Sequence, residues 1–265
     1  MTDPRPLLDT AVRAARAGAA ALAPFRAGTR SLDVSQKSLH DFVTAADVAS
    51  ERAVTGVIRA AHPDHRILAE EESKADLRAP GAVWIVDPLD GTTNFIHGFP
   101  VFAVSVGCAV DGRVVAGAVY DPSRDELFSG ARGHGATLNG TPLRVSGREV
   151  FTDALIGTGF PFRKLDRVEQ YMGAFRAVMA ETAGIRRAGS AALDLAAVAA
   201  GRFDGFWEEG LGPWDVAAGS LLIEEAGGIV TDFAGGDTFV ATGNVVAGAA
   251  AVHARLREIV MQHMG

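Results

Sequence analysis

The spacing of apolar residues along the chain predicts a mixture of helices and strands. Apolar positions recur at helical spacing over residues 5–26 and again from 41–47 to the region of Pro63, which predicts two amphipathic helices joined by a polar connector. Short apolar runs at 66–69 and around Trp84 are typical of strands. The N-terminal part therefore combines long helices with the beginning of a sheet.

The rest of the chain shows two different patterns. From 101 to 143, apolar runs are separated by turn residues, as in an antiparallel meander. Short strands and helices then alternate to the end, and Pro213 is well placed to open a helix that runs to Glu225. We expect an α/β (α+β) protein with two closely packed lobes, an N-terminal α+β lobe over 1–150 and a C-terminal α/β lobe over 151–265.

Charge and cysteine content narrow the class of protein. The net charge of −7 and the isoelectric point near 5.5 argue against a nucleic-acid-binding protein, which would normally present a basic surface. Cys108 is the only cysteine, so no internal disulfide can form and a reducing compartment is expected. Charged residues such as Asp9 and Arg13 interrupt the Ala-rich N-terminus, which argues against a signal peptide. We expect a cytoplasmic protein with no membrane segment.

The segment 84–95 carries the strongest chemical signal. It places Asp87 and Asp90 at the end of an apolar strand that is predicted to stop at Pro88, where both carboxylates could bind a hard cation such as Mg²⁺. The backbone N–H groups of Gly91 and Thr92 would follow in a tight turn that could bind an anion. Asp-Pro and Asp-Gly are also common turn dipeptides. Cation ligands beside a phosphate site nevertheless favour phosphoryl transfer to water.

The same segment resembles the Asp-Pro-x-Asp-Gly-Thr-x-Asn-Phe signature of the inositol monophosphatase family. Residues 213–219, Pro-Trp-Asp-Val-Ala-Ala-Gly, resemble the second signature of that family, and the resemblance makes Asp215 a further metal ligand. In the first turn of a helix, Asp215 could otherwise be a simple helix cap, since the helix dipole favours a carboxylate there. The matching segments occur in the family's order and cover most of the chain.

Two upstream segments extend the resemblance. Residues 67–71, Ile-Leu-Ala-Glu-Glu, resemble a family segment whose first Glu is a metal ligand, which makes Glu70 a ligand that also orients the attacking water. Glu71 is an alternative, because Glu70 opens an acidic run that continues to Glu72. Residues 41–47 resemble the segment whose last Asp pairs with the signature's first Thr, here Asp47 with Thr92. Thr44 and Asp47 also have the spacing of a helix capping box, and one carboxylate could serve both purposes.

Contacts to the alcohol part of the substrate are implied by two shorter segments. Residues 188–192 and 204–208 resemble the family's hydroxyl-binding segments, so that Gly189, Ser190, Ala191 and Glu208 would contact the substrate. The position of Glu208 before Asp215 matches that of the carboxylate that accepts hydrogen bonds from an inositol hydroxyl.

The resemblance implies a layered α-β-α-β-α sugar-phosphatase fold with the site between the two lobes. It also implies a lithium-sensitive, Mg²⁺-dependent hydrolase of inositol 1-phosphate or a related polyol phosphate, with water as the nucleophile, no phosphoenzyme and a homodimeric assembly. Two or three Mg²⁺ ions are expected, one held by Glu70, Asp87 and the Leu89 carbonyl, and a second by Asp87, Asp90 and Asp215.

Other functions remain compatible with the sequence. Similar folds hydrolyse histidinol phosphate, fructose 1,6-bisphosphate, 3′-phosphoadenosine 5′-phosphate or NADP, and the signatures do not separate these substrates. Some bacterial members of the family also bind the transcription machinery, so an association with RNA polymerase is an alternative from a different functional class.

Overall fold

The computed structural model describes residues 3–28, 30–38, 41–71, 76–77, 80–162 and 164–265. Glu72, the last acid of the run that begins at Glu70, lies outside the described residues. Within them the helices are α1 (Arg5–Arg26), α2 (Ala45–Ala61), α3 (Thr92–Ile96), α4 (Val168–Glu181), α5 (Ala191–Ala199), α6 (Pro213–Glu225), α7 (Phe239–Thr242) and α8 (Ala250–Met264). Short 3₁₀ helices span Phe151–Asp153 and Leu165–Arg167.

Strands of the described ranges form a hairpin and two larger sheets. The strands are β1 (Ser35–Ser38), β2 (Asp41–Val43), β3 (Arg66–Ala69), β4 (Ala82–Asp90), β5 (Ala103–Val110), β6 (Arg113–Asp121), β7 (Glu126–Ala131), β8 (Ala136–Leu138), β9 (Thr141–Pro142), β10 (Leu155–Thr158), β11 (Gly184–Arg186), β12 (Gly205–Glu208), β13 (Ile229–Thr231) and β14 (Val245–Gly248). β1 pairs with β2 in the hairpin. The seven-stranded sheet has the order β3-β4-β5-β6-β7-β8-β9, and the five-stranded sheet has the order β11-β10-β12-β14-β13.

Five layers result from the way the helices cover these sheets. α1 and α2 pack on the outer face of the seven-stranded sheet, α5 and α6 lie between the two sheets, and α4 and α8 cover the outer face of the five-stranded sheet. The fold is therefore the α-β-α-β-α arrangement that the resemblance predicts. The predicted meander is also confirmed, because every neighbouring pair from β4 to β9 is antiparallel.

Helix α6 lies at the centre of the molecule and is apolar on nearly all sides. Its residues from Val216 to Ile223 are all buried, as expected for a helix packed between two sheets. Burial of a side chain such as Leu221 contributes roughly 1.5–3 kcal/mol. Small residues allow a close approach to the sheet, because a Cβ atom at Gly117 of β6 would lie 3.0 Å from Ala218 Cα. This packing fixes the N-terminus of α6, where Asp215 lies.

The course of β4 differs from the sequence prediction. The strand continues through Pro88 instead of stopping there, since Asp87 pairs with Ser105 and Asp90 pairs with Ala103. Three steps along β4 thus match two steps along β5, which is a β-bulge. A bulge accommodates a proline because the ladder there does not need its missing N–H donor.

The hairpin β1–β2 also replaces part of the predicted polar connector, and β2 occupies 41–43, where the sequence predicts the start of the second helix; α2 begins only at Ala45. The strands of the hairpin are short, and their sequence lacks the apolar alternation by which a strand is recognised. The elements β13 and α7 are also absent from the prediction, because each is too short to show a period of apolar residues. Among the described residues, no helix combines the length and the apolar composition required to cross a membrane.

Candidate active site

A cavity of about 320 Å³ opens where the carboxyl end of β4 meets the edge of the five-stranded sheet and the first turns of α5 and α6. Its lining includes every predicted site residue except Asp47, namely Glu70, Asp87, Leu89, Asp90, Gly91, Thr92, Gly189, Ser190, Ala191, Glu208 and Asp215. Residues that lie up to 145 positions apart in the chain are thus brought to one surface.

Three aspartates converge at the floor of the cavity. Asp87 and Asp90 flank the bulge of β4, and Asp215 comes from the first turn of α6. One carboxylate oxygen of each lies within 4.8 Å of the others. Anionic oxygen donors at this spacing suit a hard divalent cation, which prefers carboxylate and carbonyl ligands.

The electrostatics of these carboxylates favour a cation at this position. Burial raises the pKa of Asp87 well above its usual range, and the negative charges of Glu70, Asp90 and Asp215 raise it further. Burial and the charge of Asp215 raise the pKa of Asp90 to about 7, although its hydrogen bonds act in the opposite direction. A divalent cation would remove this repulsion and keep the carboxylates ionised.

Asp90 is held by the N-terminus of α5. Ser190 Oγ donates a hydrogen bond to Asp90 Oδ2 at 2.6 Å, and the backbone N–H of Ala192 donates to the same oxygen at 2.7 Å. Ser190 is also the N-cap of α5, where its side chain accepts from the N–H of Leu193. The Ser190 hydroxyl therefore orients Asp90, and its predicted contact with substrate remains a prediction.

Asp47 lies behind the cavity, where it joins α2 to α3. It is fully buried, and its Oδ2 accepts from the N–H and the hydroxyl of Thr44 at 2.8 and 2.6 Å, completing a capping box. Its Oδ1 accepts from Thr92 Oγ at 3.0 Å. One carboxylate thus caps α2 and contacts the cavity through Thr92. Burial raises the pKa of Asp47, and the hydrogen bonds from Thr44 and Thr92 partly offset this effect.

Glu70 follows β3 and reaches the cavity, whereas Glu71 does not line it. The backbone N–H of Glu70 donates to the carbonyl of Val86 in β4, which extends the pairing of β3 and β4 by one residue. The N–H of Glu71 donates to the buried carboxylate of Glu51 at 2.9 Å. Of the two glutamates, the geometry favours Glu70 as the ligand.

The turn after Asp90 requires a glycine. Gly91 is the N-cap of α3 and has a φ of 91°, in the left-handed region that favours glycine. A Cβ atom at Gly91 would also lie 2.8 Å from the carbonyl oxygen of Val101. The start of α3 consequently brings the backbone of Gly91 and Thr92 to the surface of the cavity.

Two residues of the cavity lining escaped the sequence analysis. Asn94 Nδ2 donates to the carbonyls of Val101 and Ala188 at 2.7 and 3.0 Å, so it ties α3 to the segment before α5. Its place in the signature could have identified it. Asp194 of α5 also lines the cavity and is buried. It lies one helical turn after Ser190, and this spacing was the available signal.

Glu208 ends β12 on the far side of the cavity from the aspartates of β4 and packs against Gly159. A Cβ atom at Gly159 would lie 1.9 Å from Glu208 Oε1, so any side chain there would displace the Glu208 carboxylate. Two aromatic residues of the segment that follows, Phe160 and Phe162, lie near the cavity mouth with the Arg187 guanidinium 5.3 and 5.2 Å from their ring centres.

Comparison with known proteins shows which protein family the chain resembles. Residues 3–264 match the profile of the inositol monophosphatase family. The Nus factor SuhB of Pseudomonas aeruginosa is 50% identical over 250 residues, covering 92% of this chain and 92% of that protein. The Nus factor SuhB of Escherichia coli is 47% identical over 243 residues, covering 92% of this chain and 91% of that protein.

Solved structures agree with this relationship. The extragenic suppressor protein suhB from Bartonella henselae superposes with a TM-score of 0.92 at 42% identity, covering 97% of this chain and 99% of that one. An inositol monophosphatase from Anabaena (Nostoc) superposes with a TM-score of 0.87 at 42% identity, covering 99% and 98% of the two chains. A profile match over almost the whole chain, close relatives and a shared fold lead to one conclusion: the chain belongs to the inositol monophosphatase family.

Proposed function

We propose that this phosphatase hydrolyses inositol 1-phosphate or a related polyol monophosphate with Mg²⁺ as its cofactor. The convergence of Asp87, Asp90 and Asp215 within 4.8 Å, beside Thr92 and its partner Asp47, carries the proposal. This arrangement has the cation ligands, the water-orienting pair and the cavity that hydrolysis of a phosphate ester requires.

The family resemblance implies ligand sets whose members all line the cavity. Glu70, Asp87 and the carbonyl of Leu89 would hold one Mg²⁺, and Asp87, Asp90 and Asp215 would hold a second, with a third near Glu70 as the family suggests. When bound, Mg²⁺ lowers the pKa of water and offsets the charge on the leaving alkoxide. The residues themselves fit a hard cation because all of the proposed donors are oxygen atoms, several of them buried and mutually repelling.

The Thr92 hydroxyl has one proton and two acceptors within reach. Asp47 Oδ1 and the carbonyl oxygen of Leu89 each lie 3.0 Å from Thr92 Oγ. If the Leu89 carbonyl binds a cation, the Thr92 hydroxyl donates its hydrogen bond to Asp47. The oxygen of Thr92 then accepts one hydrogen bond from the attacking water, and the Glu70 carboxylate accepts the other. Asp47 is thus a positioning residue, and Thr92 is the group that touches the nucleophile.

Substrate would span the cavity from the metal ligands to the five-stranded sheet. The N–H groups of Gly91 and Thr92 would bind the phosphate oxygens. Gly189 and Ala191 would approach the alcohol part through their backbone beside Ser190, and Glu208 would accept hydrogen bonds from its hydroxyl groups. These roles are supported by the presence of all of these residues in the lining of the same cavity.

The test is phosphate release from inositol 1-phosphate with Mg²⁺ and with a chelator. A panel that includes histidinol phosphate, fructose 1,6-bisphosphate, 3′-phosphoadenosine 5′-phosphate and NADP assigns the substrate class. Lithium should inhibit uncompetitively at concentrations where sodium does not. Turnover that is insensitive to chelation would contradict the proposed cofactor, and preference for a nucleotide would contradict the polyol assignment.

We also propose a cytoplasmic homodimer with lobes over 1–150 and 151–265. The lobes are supported by the sheets, since the seven-stranded sheet ends at Pro142 and the five-stranded sheet begins at Leu155. The dimer is supported by exposed apolar side chains on one stretch of chain, Phe160, Phe162, Leu165, Met172 and Met179. Sedimentation analysis of the wild type and of Met179→Lys would test it.

Association with the transcription machinery is a second candidate. Two relatives that share about half of their residues with this chain carry the name Nus factor SuhB, which supports the idea. Purified RNA polymerase can be tested for binding to the wild type and to Asp90→Asn. If RNA polymerase retains both the wild type and Asp90→Asn, the result would favour a role that does not depend on hydrolysis.

A further inference from the structure

Asp194 is a buried acid that the proposed hydrolysis does not use. It lies on α5 and lines the cavity, yet only 3% of its surface is exposed to solvent. Within the described part of the chain its carboxyl group forms no hydrogen bond, whereas its backbone N–H donates to the carbonyl of Ser190 within α5. A buried polar group without a partner is costly, so a group that faces a cavity in this way is suited to a ligand.

The first turns of α5 connect the two ends of the cavity. The N–H of Ala192 is bonded to Asp90 at the metal ligands. Asp194 follows two residues later and is close enough to Glu208 and to Asp90 for their charges to act on it. Asp194 is therefore near both Asp90 and Glu208, in the lining of the cavity that the alcohol part of a substrate would occupy.

The surroundings of Asp194 favour its neutral form. Burial raises its pKa well above the usual range, the negative charges of Glu208 and Asp90 raise it further, and the positive charge of Arg187 partly offsets them. A protonated carboxyl group is a poor cation ligand, but it offers one O–H donor and one carbonyl acceptor. A hydroxyl group of a substrate, which also donates and accepts, matches this pair of functions.

We propose that Asp194 is a specificity-determining residue which, together with Glu208, binds the hydroxyl groups on the two carbons that flank the phosphate-bearing carbon of the substrate. The inference rests on the proposed function and deepens it, because it names the chemical feature that the cavity selects. Substrates with hydroxyl groups on the carbons next to the phosphate ester are preferred over esters of plain alcohols. Glu208 supplies acceptor oxygens, and Asp194 supplies a buried carboxyl group without a hydrogen-bond partner among the described residues.

A matched pair of substrates isolates this recognition. Glycerol 2-phosphate and isopropyl phosphate carry the phosphate on the central carbon of the same three-carbon skeleton, and only the former has two hydroxyl groups. We expect the wild type to prefer glycerol 2-phosphate. In Asp194→Leu, the ratio of the two kcat/KM values should fall by about 10-fold, the effect of losing a hydrogen bond in a buried site, and KM should account for most of the change. Asp194→Asn keeps a carbonyl acceptor and an N–H donor, so it should restore the ratio to within about 3-fold of the wild type.

Two further variants keep the test independent of folding. Val198→Ala removes a buried side chain from the same helix away from the cavity, so it should lower Tm without changing the ratio. Asp194→Ala removes the same polar groups as Asp194→Leu but needs no extra space, and it replaces that variant if the Leu side chain prevents folding.

The outcomes separate this inference from the proposed function. A wild type that hydrolyses both esters equally would contradict the polyol assignment itself. A wild-type preference that survives in Asp194→Leu and Asp194→Ala would overturn the role of Asp194 alone. The same conclusion would follow if hydrolysis of both esters fell by the same factor, because Asp194 would then support the chemistry or the fold.

Discussion

The side of the cavity formed by β4 and α3 comes from one continuous segment, 87–94, whereas the opposite side is assembled from the ends of β10 and β12 and the first turn of α5. The first side carries Asp87, Asp90 and Thr92, whose chemistry depends on fixed distances between neighbouring groups. The second side carries Asp194 and Glu208, which lie on separate elements.

We therefore expect the first side of the cavity to control the chemical step and the second side to control the choice of substrate. A bulge and a left-handed glycine hold the first side in one geometry, so a change there should affect every substrate. The second side carries the single side chains that we propose to contact the alcohol part of the substrate, so a change there should affect some substrates more than others. Each experiment below challenges this separation.

The largest effect is expected for Asp90→Asn, which should abolish turnover of all phosphate esters. The amide oxygen can still accept from Ser190 and Ala192, so the fold should persist, but a charged cation ligand is lost. Mg²⁺ should raise the Tm of the wild type more than that of the variant. Asp121→Asn is a matched control, because Asp121 is a buried acid on β6 that does not line the cavity. Equal Mg²⁺ shifts in the wild type and Asp90→Asn would remove Asp90 from the metal site.

Asp47→Asn should lower kcat by roughly 10²- to 10⁴-fold, as expected for loss of a group that orients the nucleophile. It should also cost about 1 kcal/mol of stability, because Asp47 caps α2 as well. Thr44→Ala is the control, since it removes the cap and leaves the bond between Asp47 and Thr92 available. Thermal melts and steady-state kinetics on both variants separate the two roles. A similar loss of kcat in both would show that the cap, and not the bond to Thr92, controls turnover.

Glu208→Gln should act on the second side of the cavity. The variant keeps the size of the side chain and removes a charged acceptor, so kcat/KM toward inositol 1-phosphate should fall by about 10- to 150-fold. Hydrolysis of para-nitrophenyl phosphate, which has no sugar hydroxyls, should fall by a much smaller factor. Gly159→Ala offers an independent route to the same result, because its methyl group would displace the Glu208 carboxylate. Equal losses on both substrates would place Glu208 with the catalytic groups.

The smallest effect concerns stability and pH. The pKa of Asp90 is raised to about 7 in the folded protein, from an ordinary value of 3.8, so the folded state binds this proton more tightly than the unfolded state. Without metal, this contribution makes the protein less stable as the pH rises from about 4 to about 7. We expect Tm in chelator to fall across this pH range, because the folded state loses a proton that the unfolded state has already lost. The slope of Tm against pH should be smaller in Asp90→Asn than in the wild type. Identical slopes in the two proteins would contradict the raised pKa of Asp90.

The same contrast explains how much the sequence could predict. Asp87 and Asp90 are three residues apart and form a recognisable signature, α1 has clear apolar spacing, and α6 has a proline at its start. The bulge at Pro88 depends on the register with β5, which no local pattern encodes. Asp194 could not be assigned because its role depends on a cavity formed by elements that are distant in the chain.

The hydrogen bonds that Asp90 accepts from Ser190 and Ala192 have a consequence for folding during synthesis. These partners follow Asp90 by 100 and 102 residues, so at about 5–20 residues per second they leave the ribosome roughly 5–20 s after it. Asp215 emerges later still. Until then, the acids of β4 lack both the donors and the third carboxylate that complete their arrangement. The catalytic centre is therefore one of the last parts of the molecule to form, and phosphatase activity reports that the whole chain has folded.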